Sequence, residues 1–476
     1  LLENNSVSQH HNVTVRGGTD RVKYFSSLGY LNQDGVIDNT GYDRYNLRTN
    51  LDAVLNPVVS VSLDLGARMQ KTRQPGISPD NTAYMNPFYQ AVRMLPNMPM
   101  YAANGLPVAY SSNAGYVNPL ASVSQSGYQN SETNVFQSTL TFNVKVPWVK
   151  GLDLKLLASY DKNATENKSW LTPYPLMGRA RNQTSGDFLY VANPPGITVN
   201  TVRQSYNQNN RQSFQPSINY NQTFKDHTIS VLALYEWSKY RNNLFSAGAR
   251  NLPLTDLHEI DFGSDATVDF IQPTGSSGLR AREGYVGRLN YSFKNRYLFE
   301  AAVRFDASIN FPKENRWGSF PSVGLGWVAS EEAFLKKYAG TLNFLKLKGS
   351  IGRLGNDVTN GPFGYLSTFT LTDDPVQIIG GVPVPALYTN PIPNLDLTWE
   401  KSTLTNVGFE SEFWNGKLGV DFEWFYKVTT DILNSQPGLY PPSVGGYFSS
   451  TVNSGIVDNR GFDLQLRHRN KLSEFE

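Results

Sequence analysis

The chain has 476 residues, and its 42 Lys plus Arg against 40 Asp plus Glu leave a net charge of +2, far from the basic balance of a nucleic-acid binder. Only 17% of residues are charged while 13% are aromatic, where a soluble enzyme carries about 25% charge; Tyr, Phe, Gly and neutral polar residues dominate, a mixture that favours strands. Without cysteine, disulfide frameworks, thiol nucleophiles and cysteine metal sites drop out, and no window reaches the ~18 apolar residues of a membrane helix, so membrane insertion would have to be as a barrel.

In chain order, a first strand is expected near His11 to Arg16, followed by a tight turn at 18–21 and a compact connection at 33–42. After the Asn56-Pro57 turn, Val61, Leu63, Leu65 and Ala67 alternate with Ser60, Ser62, Asp64, Gly66 and Arg68. That is a two-faced strand. A long connection at 72–132 leads to Leu140, Phe142, Val144 and Val146, alternating with Thr139, Thr141, Asn143 and Lys145. Past a turn at 147–151, Leu152, Leu154, Leu156, Ala158 and Tyr160 oppose Asp153, Lys155, Ser159 and Asp161. Long connections follow at 167–205 and 246–280, separated by a turn at 225–227.

After the turn at 294–296, Tyr297, Phe299, Ala301, Val303 and Phe305 alternate with Glu300, Arg304 and Asp306. A connection at 310–316 comes next, compact although it falls on the loop side like 33–42, then one at 330–342 that falls on the turn side and should hold a helical turn around Glu331, Phe334 and Leu335. Long connections at 357–398 and 433–459 flank the Asn415-Gly416 turn and the strand Val420, Phe422, Trp424, Tyr426. About fifteen strands result, each near or above the ~10 residues that cross a membrane. Sandwiches, β-helices and propellers also alternate, but sandwich strands run ~5–6 residues. Nothing in those folds makes short and long connections take turns, as an up-and-down barrel does. In lipid the apolar face looks outward, the polar face lines the lumen, and Tyr24, Trp148, Tyr297, Trp327 and Trp424 suit interfacial girdles. Fifteen strands exceed the eight that side chains alone can fill, and an odd count implies that strands are missing. The sequence reads as an internal piece of a longer chain, with any plug upstream of Leu1.

Catalytic chemistry is absent from the motifs: the histidines at 10, 11, 227, 258 and 468 have no metal-ligand spacing, and no G-x-S-x-G or P-loop occurs. No cofactor is expected. Asp256, Glu259, Asp261, Asp265 and Asp269 could hold a structural calcium ion, but lack the ordered spacing of a calcium loop and read better as a solvated acidic loop. Aromatics crowd the long connections, and Tyr84, Tyr89, Trp170, Tyr174, Phe363, Tyr365, Tyr388 and Tyr440 are the candidate ligand-binding rings, set against the plainer reading that they pack loops together.

The run VRFDASINFPKENRWGSFPSVGLGWVASEEA at 303–333 resembles the central barrel motif of SusC-like TonB-dependent transporters from Bacteroidota. Matching residues include Arg304, Asp306, Arg316, Trp317, Gly318, Phe320, Pro321, Ser322, Gly326, Trp327, Ser330, Glu331 and Glu332. LKLKGSIGRLGND at 345–357, the L-x-W-E-x-S strand opening with Trp399, Glu400 and Ser402, FYKVTTDIL at 425–433 and NRGFDLQL at 459–466 agree in the family's order. VRGGTDRVKYFSSLGYLNQDGVI at 15–37 and NPFYQAVRMLPNMPMYAANG at 86–105 are similar to its early hairpin and first large loop.

The resemblance implies that residues 1–476 are part of a single TonB-dependent receptor β-barrel domain, with the plug, the TonB-contacting segment and the last strands outside it. A complete member would be a 22-stranded plugged barrel in the bacterial outer membrane. It would import oligomeric nutrients, oligosaccharides ahead of peptides, with a SusD-like surface lipoprotein as lid, and would pair into a dimer of transporter–lid units. A passive porin-like channel is the alternative from another class.

Overall fold

The computed structural model describes residues 5–76, 89, 91–92, 96, 98–109, 118–182, 184–186, 188–193, 199–359, 363–367, 369–389, 393–436, 443 and 450–470. The strands begin with β1 (Ser8–Gly18), β2 (Val22–Asp34), β3 (Gly41–Val54), β4 (Val59–Pro75), β5 (Val108–Ala109), β6 (Gly127–Lys145) and β7 (Leu152–Leu171). They continue with β8 (Leu176–Arg181), β9 (Phe188–Asn193), β10 (Thr201–Phe224), β11 (His227–Arg250), β12 (Thr274–Phe293), β13 (Tyr297–Ser308) and β14 (Trp317–Val328). The last are β15 (Leu342–Asn356), β16 (Phe369–Ile379), β17 (Val382–Thr389), β18 (Glu400–Phe413), β19 (Leu418–Gln436) and β20 (Ser450–His468). Helix α1 spans Pro119–Gln125 and α2 spans Ala333–Lys336.

Fifteen of these strands form one sheet whose order follows the chain, β1-β2-β3-β4-β6-β7-β10-β11-β12-β13-β14-β15-β18-β19-β20. The expected antiparallel barrel wall is therefore present, with β5, β8, β9, β16 and β17 set apart in two small sheets on the long-connection side. No helix among the described residues is long and apolar enough to cross a membrane. The turn side is built as the sequence suggests. In the three-residue β12–β13 connection, Lys294 (φ 52°) and Asn295 (φ 54°) are both left-handed and Arg296 N donates to Phe293 O at 2.9 Å, the backbone of a primed turn that matches strand twist. The 329–336 segment holds the expected helical turn.

Strand lengths exceed the sequence expectation. The connection read as 72–132 is confined to 76–126, because β4 and β6 stay paired from Val59↔Val144 to Pro75↔Tyr128. Likewise β10 and β11 each run 24 residues and pair from Phe224↔His227 to Thr201↔Arg250. Beyond Gln212 both faces of β10 are largely amide and hydroxyl, so hydropathy loses its period of two while the hydrogen-bond ladder continues.

Register aligns parity across the wall. Phe142↔Leu156, Leu156↔Pro216, Ala233↔Gly287, Gly287↔Val303, Val303↔Pro321, Leu347↔Phe409 and Trp424↔Phe462 share one face. On the other lie Asn143↔Lys155, Lys155↔Ser217, Asn290↔Glu300 and Lys346↔Glu410. The apolar face stays solvent-accessible, with Val61, Leu63, Leu65 and their equivalents only half-covered and Leu325, Ile351 and Leu464 exposed. An uncovered apolar face fifteen strands wide is far larger than any water-soluble protein tolerates; it belongs against lipid, which makes the polar face the lumen.

Candidate functional site: the lumenal mouth on the long-connection side

The mouth is shaped by a core on the lumenal face. Phe311, Phe320, Leu397 and Trp399 are buried together, with Leu433 against them. The Phe320 and Trp399 rings meet edge-on at 5.2 Å, and Phe311 and Trp399 lie 5.3 Å apart. The family-like motif explains itself in this cluster. Pro321 has no N–H to donate, and the β14–β15 ladder stops at Ser322↔Gly352, the next pair along. Phe320 fills the opening, lying over Gly318 and Gly355, where a Cβ on either would run into its ring.

Trp399 Nε1 donates to the Arg316 carbonyl at 2.8 Å, and Thr398 Oγ1 to that of Asn315 at 3.2 Å. Asn453 accepts from Thr398 N at 3.0 Å and returns a bond to Thr398 O at 2.9 Å. Connections 309–316 and 393–399 are thereby fixed across the top of the wall, and Glu400 opens β18 opposite Asn356.

Three cations of the lumenal face are matched by carboxylates. Arg304 grips Asp306 through Nε at 3.0 Å and Nη2 at 2.8 Å and reaches Glu236 at 3.5 Å. Arg282 makes a two-point contact with the buried carboxylate of Asp357, whose carbonyl accepts from Asn310 at 2.9 Å. Deeper down, Lys348 sits between Glu410 at 3.1 Å and Glu423 at 3.0 Å. Beside these pairs, β7 and β10 offer an amide and hydroxyl wall of Ser159, Asn163 and Asn167 against Ser205, Asn209 and Ser213, with the opposite charges of Asp161 and Arg211 facing each other in its midst.

The candidate rings separate. Phe363 and Tyr365 come together, 6.2 Å apart and edge-on, in a turn whose Gly364 lies against Leu397. Trp170 does not reach the lumen: it has the parity of Leu154 and Leu156, faces outward and is 4% exposed. His258 stacks on it at 4.2 Å and accepts from Tyr128 Oη at 3.2 Å while donating through Nε2 to Thr255 O at 2.8 Å. The even numbering that Trp170 shares with Leu152 to Tyr160 was the sequence signal for this. Tyr174 is also buried, its hydroxyl without a hydrogen-bond partner among the described residues, and burial pushes its pKa far above the usual range. Tyr89 is exposed; Tyr84, Tyr440 and the Tyr388 side chain lie outside the described residues.

Other motif residues hold the wall. Trp317 stacks on Tyr285 at 5.9 Å on the outward face. At the opposite end Glu332 accepts from Tyr297 Oη at 2.6 Å, Trp327 Nε1 at 3.3 Å and Arg296 at 3.3 Å, whereas Glu331 only meets Lys336 at 3.2 Å. Glu332 was thus the more informative of the two acids. The acidic residues of connection 251–273 are dispersed: Glu259 pairs with Lys168 at 2.7 Å and Asp269 accepts from Asn251 at 3.1 Å. Among the described residues no three acidic or histidine groups gather to hold a metal ion.

Residues 76–475 match the profile of the family described as TonB dependent receptor-like, beta-barrel. The chain is 26% identical over 485 residues to TonB-dependent receptor SusC of Bacteroides thetaiotaomicron, covering 97% of this chain and 45% of that protein. It is 27% identical over 478 residues to TonB-dependent receptor P39 of Formosa agariphila, covering 97% and 40%. Among solved structures, the RagAB peptide transporter superposes with a TM-score of 0.76 at 22% identity, over 98% of this chain and 49% of that one. The chain spans less than half the length of the curated relatives it matches.

Proposed function

The chain belongs to the TonB-dependent receptor β-barrel family of the bacterial outer membrane, and on that premise we propose that its whole protein actively imports neutral oligosaccharides. Energy reaches it through TonB, and a SusD-like surface lipoprotein closes the mouth, in a dimer of transporter–lid pairs. The observation that carries the cargo assignment is the mouth itself: its amide and hydroxyl wall matches sugar hydroxyls, while Arg304, Arg282 and Lys348 are already matched by carboxylates. Phe363 and Tyr365 supply flat apolar faces beside it. Distributed weak contacts suit a carrier that must release what it binds. A structural calcium ion is not needed for this reading.

Peptide import is the second reading, since a peptide backbone would use the same amide wall and the RagAB protein is a peptide transporter. Calorimetry of the full-length receptor with its lid decides between them. Neutral glycan fragments should bind, Tyr365→Ala should weaken them about tenfold, and Trp170→Phe should leave them unchanged. Binding of peptides but not glycans would overturn the cargo assignment, and conductance without a lid or TonB would favour a passive channel.

A further inference from the structure

The outward face carries a cationic patch immediately beyond its apolar belt, and import of a cargo through the lumen does not use it. On β7, β10 and β11 the belt ends in the row Ala158↔Phe214↔Trp237. The next row toward the long connections is Tyr160↔Gln212↔Lys239, and the one after it is Lys162↔Asn210↔Arg241. Register puts Lys162, Lys239 and Arg241 on the lipid-facing side, at the height of the outer-leaflet headgroups. With strands ~4.8 Å apart and ~3.4 Å per residue, the three cations stand roughly 7–12 Å from one another. None has an ion pair among the described residues. The nearest acid on this face is Glu283, opposite Trp237 and one row below Lys239, where it accepts from Tyr235 at 3.2 Å; Glu166 lies farther up the wall.

Two recesses flank the patch. Below it, an apolar concavity of about 900 Å³ is lined by Pro216, Ala233 and Gly287 and by Phe142, Phe214 and Phe305. Beside it, a second of about 470 Å³ lies between Tyr45, Phe136 and Tyr206 and is bordered by Lys162 and, farther up, by Asn134 and Glu166. Unpaired cations above an apolar recess and beside a partly apolar one, on a face that lies against lipid, fit one chemistry: an anionic headgroup with several acyl chains.

We propose that Lys162, Lys239 and Arg241 bind the phosphate of a phosphorylated, multi-acylated lipid of the outer leaflet, whose chains occupy the two recesses. Guanidinium and ammonium donors give charge-assisted bonds to phosphate oxygens, and the small lining residues leave room for chain packing against the aromatic ones.

The test is native mass spectrometry of the full-length receptor in mild detergent, titrated with diphosphorylated lipid A, with its dephosphorylated form and with inorganic phosphate. Only natively folded barrels, identified by heat-sensitive gel migration, are compared. The phosphorylated lipid should be retained, and the triple variant Lys162→Gln, Lys239→Gln, Arg241→Gln should lose at least about tenfold in affinity. Removing the phosphates from the lipid should produce the same loss. Ala233→Trp, which fills the larger recess and leaves the patch intact, should also weaken the lipid. Equal lipid retention by the triple variant and the parent overturns the proposal, as does inorganic phosphate binding with the affinity of the lipid.

Discussion

Gly355→Ala should destabilise the mouth solely through the ring of Phe320. The Gly355 backbone is in a region open to any L-residue, so the substitution carries no conformational strain of its own. An added Cβ would enter the space of the Phe320 ring, which cannot retreat: its tip is held between Gly355 and Gly318, Trp399 meets it edge-on at 5.2 Å, and it is 7% exposed. Overpacking of this kind costs about 1–3 kcal/mol, and a displaced ring also loses an aromatic contact of about 0.5–1.5 kcal/mol. Phe320→Ala alone should cost about 3–5 kcal/mol. With the ring gone, Gly355→Ala should become nearly neutral, so the two substitutions should be non-additive by at least about 1 kcal/mol. Guanidinium unfolding of the full-length receptor in lipid vesicles, followed by tryptophan fluorescence, measures all four corners of the cycle. Additivity within about 0.5 kcal/mol would refute the packing argument.

Three further outcomes are expected. Hydrogen bonds from Tyr297, Trp327 and Arg296 hold the Glu332 carboxyl below its usual pKa, so its stabilisation of the 329–336 turn is full above an ordinary carboxyl pKa and is lost as pH falls through the lower folded value; amide protection factors in that turn, taken relative to the intrinsic exchange rate at each pH, should fall in acid, and Glu332→Gln should erase this pH dependence. Arg282→Ala, which strands the buried Asp357 carboxylate, should cost about 3–5 kcal/mol, while Asp357→Asn, which leaves the largely solvated Arg282, should cost only about 1–2 kcal/mol in thermal unfolding. Asn118 caps α1 through bonds to Leu120 N and Ala121 N and donates to Met100 O and Val108 O, so Asn118→Ala should cost about 2 kcal/mol or more and speed limited proteolysis of residues 100–126.

Much of the barrel could be read in advance because lipid imposes a hard rule: residues such as Leu154 and Leu156 must face one way and Asp153 and Lys155 the other. Above the belt that rule lapses. Asn207, Gln208, Asn209 and Asn210 are polar on both faces, so the upper halves of β10 and β11 look like loop although their backbones remain laddered. The mouth was harder for another reason. Trp170, Tyr174, Phe363 and Tyr365 are alike in composition and setting, and which of them pack and which remain open depends on partners such as His258 and Leu397, distant in sequence. The Phe320–Trp399 core was visible only as a motif; its physical content, a ring over two glycines beside a proline that ends a ladder, needed the third dimension.

The length of β10 and β11 has a consequence for the environments this chain must satisfy. At ~3.3 Å per residue and ~40° of tilt, 24 residues stand roughly 60 Å tall, of which a hydrocarbon layer covers only ~25 Å. The remaining wall is governed by the rules of a water-soluble protein, held by hydrogen-bond ladders and small cores such as Trp170, Val202 and Leu252. One continuous sheet therefore lives in two solvents. Thinning the bilayer or changing its acyl chains acts on the lower storey alone, whereas urea at concentrations that spare the hydrocarbon-embedded strands should loosen the upper storey first, opening the entrance while its foundation stays intact.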